Sequence, residues 1–392
     1  AADHPYLFVG KLKEMAQGLF LDPALLDVVD IRSVANMKTT NGPQGAAAEG
    51  TSGEPISEKG GHSSQQLSAI EMALAKLRNV DPLPMATLEN HRQALVVGGG
   101  IAGMTAALAI ADHGYPVTLI EAQDKLGGNL IWLNLTLGGH SVAALFKETL
   151  QKVENHPLVE VHLGSTITAS FGEAGNFYTT VMDNDGASKT LQHAAVILAT
   201  GGGEAQTASY GYGDHVAVIT QKELESRLGG EEFDTSGLHS VVMIQCVGSR
   251  EEPRNYCSRV CCPTSLKHAL KLKEIDPDIA VYIVYRDMMT PGFLEGFFTE
   301  AREKGVIFIQ YDPDTKPVPL MPERPQDPLY VAVTDPMLGR LLHIRADLLV
   351  LATGIVPQLD PVLADLFGAQ TDTDGFFQEA DAKWRPVDAL KA

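Results

Sequence analysis

A short glycine-rich segment constrains the fold of this chain more than any other feature. Gly98, Gly100 and Gly103 stand in G-x-G-x-x-G register in ALVVGGGIAGMTAALAIADHGYPVTLIEA, after an apolar run and before a helical pattern. Glu121 ends the next apolar run, eighteen residues after Gly103. In a Rossmann unit the first glycine makes a tight turn, the second admits a pyrophosphate and the third permits close helix–strand packing, while the acid binds a ribose. The segment therefore predicts a dinucleotide site.

Three further segments favour FAD over NAD as the dinucleotide. Gly127, Gly128 and Asn129 follow Glu121 closely and offer a second flexible backbone approach, suited to a ribityl-phosphate region. VILATGGG at residues 196–203 and LLVLATGIVP, which ends at Pro357, each place Ala-Thr-Gly after a strand, as in flavoproteins with two dinucleotide folds. The residues predicted to bind the cofactor are Gly98, Gly100, Ile101, Ala102, Gly103, Glu121, Ala122, Gly127, Gly128, Asn129, Ala199, Thr200, Gly201, Ala352, Thr353 and Gly354.

The order of strand and helix patterns predicts an α/β fold in which one Rossmann-like domain is interrupted by another. Strand, helix and strand patterns occupy residues 94–121, and they recur after residue 237 with a helix from Pro263 to Glu274. A stretch rich in Gly, Ser, Ala and polar residues precedes them and cannot bury enough apolar surface to fold. The predicted divisions are an N-terminal helical segment at 1–38, a flexible linker at 39–64, a helical lead-in at 65–91, an FAD domain at 92–236 and 340–392, and an inserted module at 237–339.

All four cysteines of the 392-residue chain fall within seventeen residues, in QCVGSREEPRNYCSRVCC. Cys246, Cys257, Cys261 and Cys262 follow the predicted strand at 240–244, where a dinucleotide fold would carry glycines so that a pyrophosphate could approach the helix N-terminus. Thiolates ligate iron–sulfur clusters and structural zinc, and four of them complete either kind of site. The window therefore predicts a metal centre in place of a phosphate cradle.

The spacing favours an iron–sulfur cluster but leaves the alternatives open. Zinc sites usually pair their ligands as two C-x-x-C units, whereas here a gap of ten residues is followed by one of three and then by adjacent cysteines. Two disulfides would strain the neighbouring Cys261 and Cys262, and nothing in the sequence suggests secretion. A redox-active dithiol needs C-x-x-C or a similar pair, which this chain lacks. Arg250 and Arg259 flank the cysteines and are predicted either to stabilise thiolate charge or to lie on a solvated face.

The net charge of −19 weighs against nucleic acid and against an anionic membrane surface, because both are bound through clustered Lys and Arg. No apolar run reaches the roughly 18 to 20 residues that span a bilayer, and AADHPYLFVGKLKEM lacks the basic and apolar regions of a signal peptide. The expected compartment is the cytoplasm, with no direct membrane insertion. Since the chain begins with Ala, we expect it to be part of a longer polypeptide.

The chain resembles the A subunit of heterodisulfide reductase. The resemblance rests on the glycine fingerprint, Glu121, the two Ala-Thr-Gly segments and QCVGSR…YCSRVCC. The relatives include similar flavoprotein subunits of the quinone-interacting membrane-bound oxidoreductase complex of sulfate reducers. The likeness covers about residues 90–392 and implies a thioredoxin reductase-like, two-dinucleotide-domain core that binds FAD. It implies that Cys246, Cys257, Cys261 and Cys262 ligate one [4Fe–4S] cluster. It also implies other subunits between which electrons pass, and it allows a homo-oligomer.

The chain departs from that family's pattern in three places. NLIWLNLTLGGHSV has no cysteine where many relatives have a cysteine-rich stretch, and residues 31–36 read IRSVAN where relatives carry another cysteine motif. Relatives also continue beyond WRPVDALKA into a strand that completes the flavin site. We therefore expect a reduced version of the family with a single cluster.

The sequence predicts an oxidoreductase subunit that contains FAD and a [4Fe–4S] cluster. Because the second fold has no cradle for a hydride donor, electrons are expected to arrive or leave singly, and the resemblance adds bifurcation at the flavin as an option. The alternative is a scaffold of the same fold that has lost its cofactors or holds zinc.

Overall fold

The computed structural model describes residues 12–13, 15–16, 26–28, 64–80, 90–230, 233–322, 324, 327–358 and 361–389. The chain forms two compact units, residues 1–88 and residues 89–392. In the first unit, helix α1 (Ser64–Arg78) falls in the predicted helical lead-in. The predicted segments at 1–38 and 39–64, including the IRSVAN stretch, lie almost entirely outside the described residues.

The second unit begins with a parallel sheet around the fingerprint strand. Its elements are β1 (Ala94–Val97), α2 (Ile101–Asp112), β2 (Val117–Ile120), α3 (Val142–Asn155) and β3 (Val159–His162), then an antiparallel sheet of β4 (Thr166–Glu173), β5 (Asn176–Met182) and β6 (Ser188–His193), and finally β7 (Ala195–Leu198). The parallel strand order is β3-β2-β1-β7, which makes β1 central and buries all four of its residues. The run ALVV suits that position because a strand covered on both faces is apolar throughout.

A second parallel sheet follows, and it carries the cysteines. In chain order the remaining elements are β8 (Gly202–Glu204), β9 (Val218–Thr220), α4 (Gln221–Leu228), β10 (Ser240–Ile244), α5 (Cys261–Ile275), β11 (Ala280–Tyr285), α6 (Glu295–Glu303), β12 (Ile307–Gln310), β13 (Val318–Leu320), β14 (Leu329–Asp335), β15 (Arg340–Ala346), β16 (Leu348–Leu351), β17 (Ile355–Pro357), α7 (Pro361–Phe367), β18 (Glu379–Asp381) and β19 (Arg385–Ala389). The parallel order is β12-β11-β10-β16-β9, and β13, β14 and β15 form a separate antiparallel sheet.

The second sheet is wider than the inserted module that the sequence predicts at 237–339. Both β9 and β16 belong to this sheet, although β9 precedes that range and β16 follows it. The predicted strand at residues 346–352 thus pairs with β10 rather than with the first sheet. The domain limits remain a prediction, but the sheet itself extends from residue 218 to residue 351.

The two parallel sheets share one three-layer plan. In the first, Val96 and Leu119 face the helices α2 and α3, while Leu95 and Ile120 face the β4–β6 sheet and α7. In the second, the alternate residues of β10 face α4, α5 and α6 on one side and the β13–β15 sheet on the other. Each sheet therefore buries both faces, as parallel sheets require.

A network of buried charged residues joins helix α5, which carries Cys261 and Cys262, to residues 134–135 in the loop that follows β2. Glu225 of α4 accepts hydrogen bonds from Lys267 at 2.7 Å and from His268 at 2.5 Å, both on α5. Its other oxygen accepts from the Asn134 amide at 2.9 Å, and Lys267 also donates to the Leu135 carbonyl at 3.0 Å. The Glu225 side chain is 3% exposed. The network therefore fixes α5 against residues 134–135.

The network holds one ionised carboxylate and one neutral imidazole. Burial acts to raise the pKa of Glu225, but the hydrogen bonds from His268, Lys267 and Asn134 outweigh it, and the pKa falls to about 2. Burial lowers the pKa of His268, so the ring is neutral and its Nε2–H donates to Glu225. Lys267 is thus the positive partner of the carboxylate.

Removing the Glu225 charge should destabilise the second unit. The substitution Glu225→Gln leaves Lys267 buried without its counter-ion, and breaking a buried pair in this way costs about 3–5 kcal/mol of unfolding free energy. The matched control Glu148→Gln removes a 65% exposed partner of Lys152 and should change stability by less than about 0.5 kcal/mol. Chemical denaturation at pH 7 measures both.

The pH dependence provides a second readout of the same pair. Because the folded-state pKa of Glu225 lies below its ordinary value of 4.5, its contribution is complete above that value and is lost as the pH falls towards 2. The stability difference between wild type and Glu225→Gln should therefore shrink between pH 5 and pH 2. A difference that is constant over this range would contradict an ionised Glu225.

Candidate functional site

The fingerprint turn has the close contacts that only glycine allows. Gly98 has φ +107°, its amide donates to the Ile120 carbonyl at 2.8 Å, and a Cβ there would collide with the Ala199 carbonyl. At Gly103 a Cβ would collide with the Gly98 carbonyl, which lies directly beneath α2. These two glycines pack β1, α2 and the end of β7 against one another, as the fingerprint predicts.

Gly100 differs from both of its neighbours in the motif because a Cβ there would meet no protein atom within 4 Å. It precedes the first residue of α2, where the free N–H groups of a helix attract anions. Both Ile101 and Ala102 are exposed in the first turn of that helix. The open space therefore lies where the predicted pyrophosphate would need it.

Glu121 is held in place by backbone amides. Its Oε2 accepts from the Gly99 amide at 2.6 Å and its Oε1 accepts from the Gln123 amide at 2.9 Å, while Ala122 between them is exposed. A carboxylate oxygen has two lone pairs, so each oxygen keeps acceptor capacity for a hydroxyl group. This is the geometry expected of a ribose-binding acid.

The Gly127-Gly128-Asn129 segment returns to the fingerprint. Gly127 has φ +129° and donates to the Gly99 carbonyl at 2.9 Å, and a Cβ on Gly128 would lie 3.1 Å from Gly100 Cα. The Asn129 amide reaches across to the Gly202 carbonyl at 2.9 Å. The segment therefore forms a second wall beside the open space at Gly100.

The two Ala-Thr-Gly segments, residues 199–201 and 352–354, are brought together by a short antiparallel pair. Strand β8 follows the first segment and β17 follows the second, and they pair with Val356 opposite Gly203. The Ala199 amide donates to the Val97 carbonyl at 2.7 Å, which joins the first segment to β1. The second segment is buried and sits at the carboxyl end of the second sheet. The predicted flavin residues therefore divide between the two sheets.

The cysteine loop, residues 245–260, fills the crevice at the carboxyl end of β10. Strand β10 lies between β11 and β16, so this crevice is the topological switch point at which open α/β sheets bind ligands. Cys246 lies two residues past β10, and Cys257 lies in the loop. Helix α5 begins at Cys261 rather than at Pro263 as the sequence suggested, because proline is tolerated in a first helical turn. Cys261 and Cys262 thus occupy that first turn.

The four cysteines are free thiols; Cys262 is buried and the other three are partly buried. Burial raises the pKa of Cys261 to about 12, and the charges of Cys262, Cys246 and Cys257 raise it further. Burial also raises the pKa of Cys262 to about 11, with Cys246 and Cys257 adding to the effect. Burial raises the pKa of Cys246, against the opposing charge of Arg250. Burial therefore favours the protonated form of Cys246, Cys261 and Cys262, and a metal would have to displace those protons.

The four cysteines are free thiols, and they are the metal-ligating side chains that the sequence predicts at this site. Among the residues that the structure describes, no three His, Cys, Asp or Glu side chains are placed to hold a single metal ion. Zinc draws thiolates to about 2.3 Å from one point, whereas the irons and sulfides of a cubane spread the same four ligands around a larger body. Four thiols without a carboxylate or an imidazole are a donor set that either a [4Fe–4S] cluster or a structural zinc ion can take.

The cysteine loop is tied to the second Ala-Thr-Gly segment. The Thr353 carbonyl accepts from Ser249 at 3.1 Å and from Arg254 at 3.0 Å, and the Ile355 amide donates to Ser258 at 2.9 Å. A Cβ on Gly354 would lie 2.8 Å from both serine hydroxyls, so this glycine is required for the close approach. The backbone of residues 352–354 therefore supports the cysteines, in addition to the role predicted for it beside the flavin.

Sequence reasoning missed several of these supporting residues. Ser249, Arg254 and Ser258 contact a segment about 100 residues later in the chain, and Glu225 contacts Lys267 and His268 about 40 residues later. No local periodicity signals such pairs. For Ser249, Arg254 and Ser258 the only available signal was their position inside the cysteine window.

Comparison with known proteins bears on the fold. Residues 92–231 match the family model for pyridine nucleotide-disulphide oxidoreductases. Solved thioredoxin reductases from T. acidophilum and Lactococcus lactis align with 76% and 77% of this chain and 89% of each of those chains, at 16% and 17% identity and a TM-score of 0.48 in both cases. The two parallel sheets, the fingerprint and the family match define a flavoprotein fold with two dinucleotide-binding domains.

Curated relatives indicate which family of such flavoproteins the chain resembles. The iron-sulfur A subunit of the CoB--CoM heterodisulfide reductase of Methanocaldococcus jannaschii is 30% identical, over 82% of this chain and 62% of that protein. The A subunit of the ferredoxin/F(420)H(2)-dependent CoB-CoM heterodisulfide reductase of Methanosarcina acetivorans is 26% identical, over 99% of this chain and 58% of that protein. The resemblance to the family of heterodisulfide reductase A subunits is therefore confirmed. The chain spans about 60% of the length of these relatives.

One negative finding bears on the predicted lack of membrane insertion. In the part of the chain that the structure describes, no helix combines the length and the apolar character needed to cross a bilayer.

Filling the space at Gly100 should weaken flavin binding without unfolding the protein. Because the added methyl group of Gly100→Ala meets no protein atom within 4 Å, it occupies only the predicted pyrophosphate space, and we expect about tenfold weaker FAD binding. Gly296→Ala, in α6, also meets no atom within 4 Å and serves as the control, with unchanged flavin affinity. Flavin titration of the apoprotein measures both. Equal affinities in wild type and Gly100→Ala would place the cofactor elsewhere.

Proposed function

We propose that this chain is an electron-transfer subunit that contains FAD and one [4Fe–4S] cluster, in a complex of the heterodisulfide reductase type. The observation that carries the proposal is that the second phosphate-binding turn is replaced by the cysteine loop and the start of α5, which together carry four thiols. The first sheet keeps its glycine turn, and the second has the cysteine loop at the equivalent switch point. The second fold therefore offers sulfur ligands where a nicotinamide coenzyme would be gripped.

The residues around Gly100 support FAD as the first cofactor. The α2 N-terminus supplies backbone donors for a pyrophosphate, and Glu121 supplies acceptors for a ribose. Gly127, Gly128 and Asn129 form the adjacent wall, and residues 199–201 lie at the end of β7, next to β1. These groups bind and orient a dinucleotide. A second glycine fingerprint that would hold NAD(P)H is absent from the sequence.

The four cysteines support an iron–sulfur cluster as the second cofactor. Cys246, Cys257, Cys261 and Cys262 would hold it, and the α5 N-terminus would place its free N–H groups beside the thiolates of the last two. When bound, a cluster carries single electrons and FAD converts between one- and two-electron transfer. The chain's own contribution is to hold both groups through residues 352–354.

The relatives' names support the proposed partners. They are named as A subunits of CoB-CoM heterodisulfide reductases, and some names include ferredoxin as well. We propose that this chain likewise passes electrons between partner subunits of such a complex or of a quinone-interacting one, with bifurcation at the flavin as one mode. An oxidoreductase acting through partners in the cytoplasm accounts for a reduced cysteine set and a net charge of −19.

Metal analysis tests the proposal against the zinc scaffold. After anaerobic reconstitution with iron and sulfide, the chain should contain about four iron and four sulfide atoms, with FAD. Cys262→Ser should lose most of the iron, because Cys262 is one of the four predicted ligands. Val260→Ser is the matched control, since Val260 is 46% exposed, lies two residues away and precedes α5 where serine is a favourable cap. About one zinc and no iron in the wild-type chain would contradict the proposal.

A further inference from the structure

Arg250 lies in the cysteine loop in an unusual backbone conformation. It has φ +61°, and three other residues of the loop share positive φ values, namely Cys246, Gly248 and Arg259. The backbone is held there from both sides, because the Arg250 amide donates to the Tyr256 carbonyl at 3.2 Å and its carbonyl accepts from Arg286 at 3.0 Å. Strain of this kind persists only where the surroundings fix it. The fold therefore fixes the direction in which the Arg250 side chain leaves the loop.

An ion pair with Asp287 holds the guanidinium of Arg250. Its Nη2 donates to Asp287 at 2.8 Å, and the Asp287 carbonyl in turn accepts the Cys262 thiol at 3.8 Å. Asp287 therefore touches the arginine through its side chain and the cysteine through its backbone. The salt bridge leaves the Arg250 side chain only 27% exposed.

The other terminal nitrogen of Arg250, Nη1, is buried and makes no hydrogen bond to any described residue. Burial raises the pKa of both Cys246 and Cys262, and the positive charge of the guanidinium opposes that rise. A neutral thiol is a weak acceptor, whereas a metal-bound thiolate is an anionic one. An unsatisfied cationic donor beside Cys246 is therefore explained if that sulfur is a ligand.

We propose that Arg250 is a positioning residue that tunes the reduction potential of the cluster, with Nη1 donating to the Cys246 thiolate and Asp287 holding the guanidinium in place. This inference rests on the proposed function. A reduced cluster carries one more negative charge than an oxidised one, so a fixed cation at a ligand sulfur stabilises the reduced state more. Arg250 thus makes the centre easier to reduce.

Anaerobic redox titration of the reconstituted full chain, followed by the electron paramagnetic resonance of the cluster, tests this role. In Arg250→Gln the reduced state should be disfavoured about tenfold, which lowers a one-electron potential by about 59 mV. Arg250→Lys keeps the charge but cannot contact Asp287 and Cys246 with one planar fork, so its potential should fall between the two. Both substitutions keep the backbone strain at the positive φ of residue 250 unchanged, because neither replaces Arg250 with glycine.

Arg259→Gln is the matched control. Arg259 has the same charge and a φ of +61° in the same loop, but it is exposed, and its contact with the site is a backbone one, from its amide to Cys257 at 3.4 Å. Its removal should shift the potential by much less, because solvent screens an exposed charge. Equal shifts in the Gln variants of Arg250 and Arg259 would overturn the inference, and so would an unchanged potential in Arg250→Gln.

Iron and sulfide contents separate this test from the test of the function. If wild type and every variant lack iron, the proposed function fails. If wild type holds a cluster but both Arg250 variants lose it while retaining FAD and wild-type stability, Arg250 is required for assembly, and its role as a tuning residue is contradicted. If Arg250→Gln loses the cluster but Arg250→Lys keeps it, the reduction potential of the Arg250→Lys cluster tests the inference. A potential equal to that of the wild-type cluster would contradict it.

Discussion

The hydrogen bonds made by the backbone of residues 352–358 hold the two candidate sites of this protein together. On one side, Ala352 and Thr353 accept from the cysteine loop. On the other, β17 pairs with β8, and the Gln358 amide donates to the Gly201 carbonyl at 3.1 Å. A flavin at the first sheet and a metal centre at the second would be held by opposite sides of one short segment. Its buried glycine, Gly354, is what lets the cysteine loop come so close.

The same crevice can serve two chemistries, and side-chain type decides between them. At the first sheet, glycines leave the α2 N-terminus open, and a phosphate group is attracted by free N–H groups and the helix dipole. At the second sheet, thiols occupy the first turn of α5 and the loop before it, and burial, together with the charges of neighbouring cysteines, raises the pKa of Cys261 and Cys262. A cationic metal centre would stabilise such thiolates by displacing their protons. Under the proposed function, the same fold thus takes a different class of ligand.

The share of each site that could be predicted from the sequence differed between the two sites, for physical reasons. The roles of Gly98, Gly100 and Gly103 could be read from one short βα segment, and in the structure Gly98 and Gly103 allow close backbone approach while the space at Gly100 is open. The grouping of the four cysteines into one metal site also came from their spacing, and it stays a prediction. The membership of β9 and β16 in the second sheet could not be predicted in this way, since it depends on pairing between strands 130 residues apart. The Arg250–Asp287 and Glu225–Lys267 pairs likewise arise from tertiary packing that no periodicity encodes.

The central claim is that the second dinucleotide fold delivers single electrons through sulfur ligands and does not take hydride from a nicotinamide coenzyme. Stopped-flow measurement of flavin reduction in the anaerobically reconstituted chain tests it most directly. A one-electron donor such as dithionite radical should reduce the flavin rapidly in the wild type and much more slowly when Cys262 is replaced by Ser, while NADH and NADPH should reduce neither protein at a comparable rate. Fast flavin reduction by NADH or NADPH in the absence of partner subunits would contradict the account.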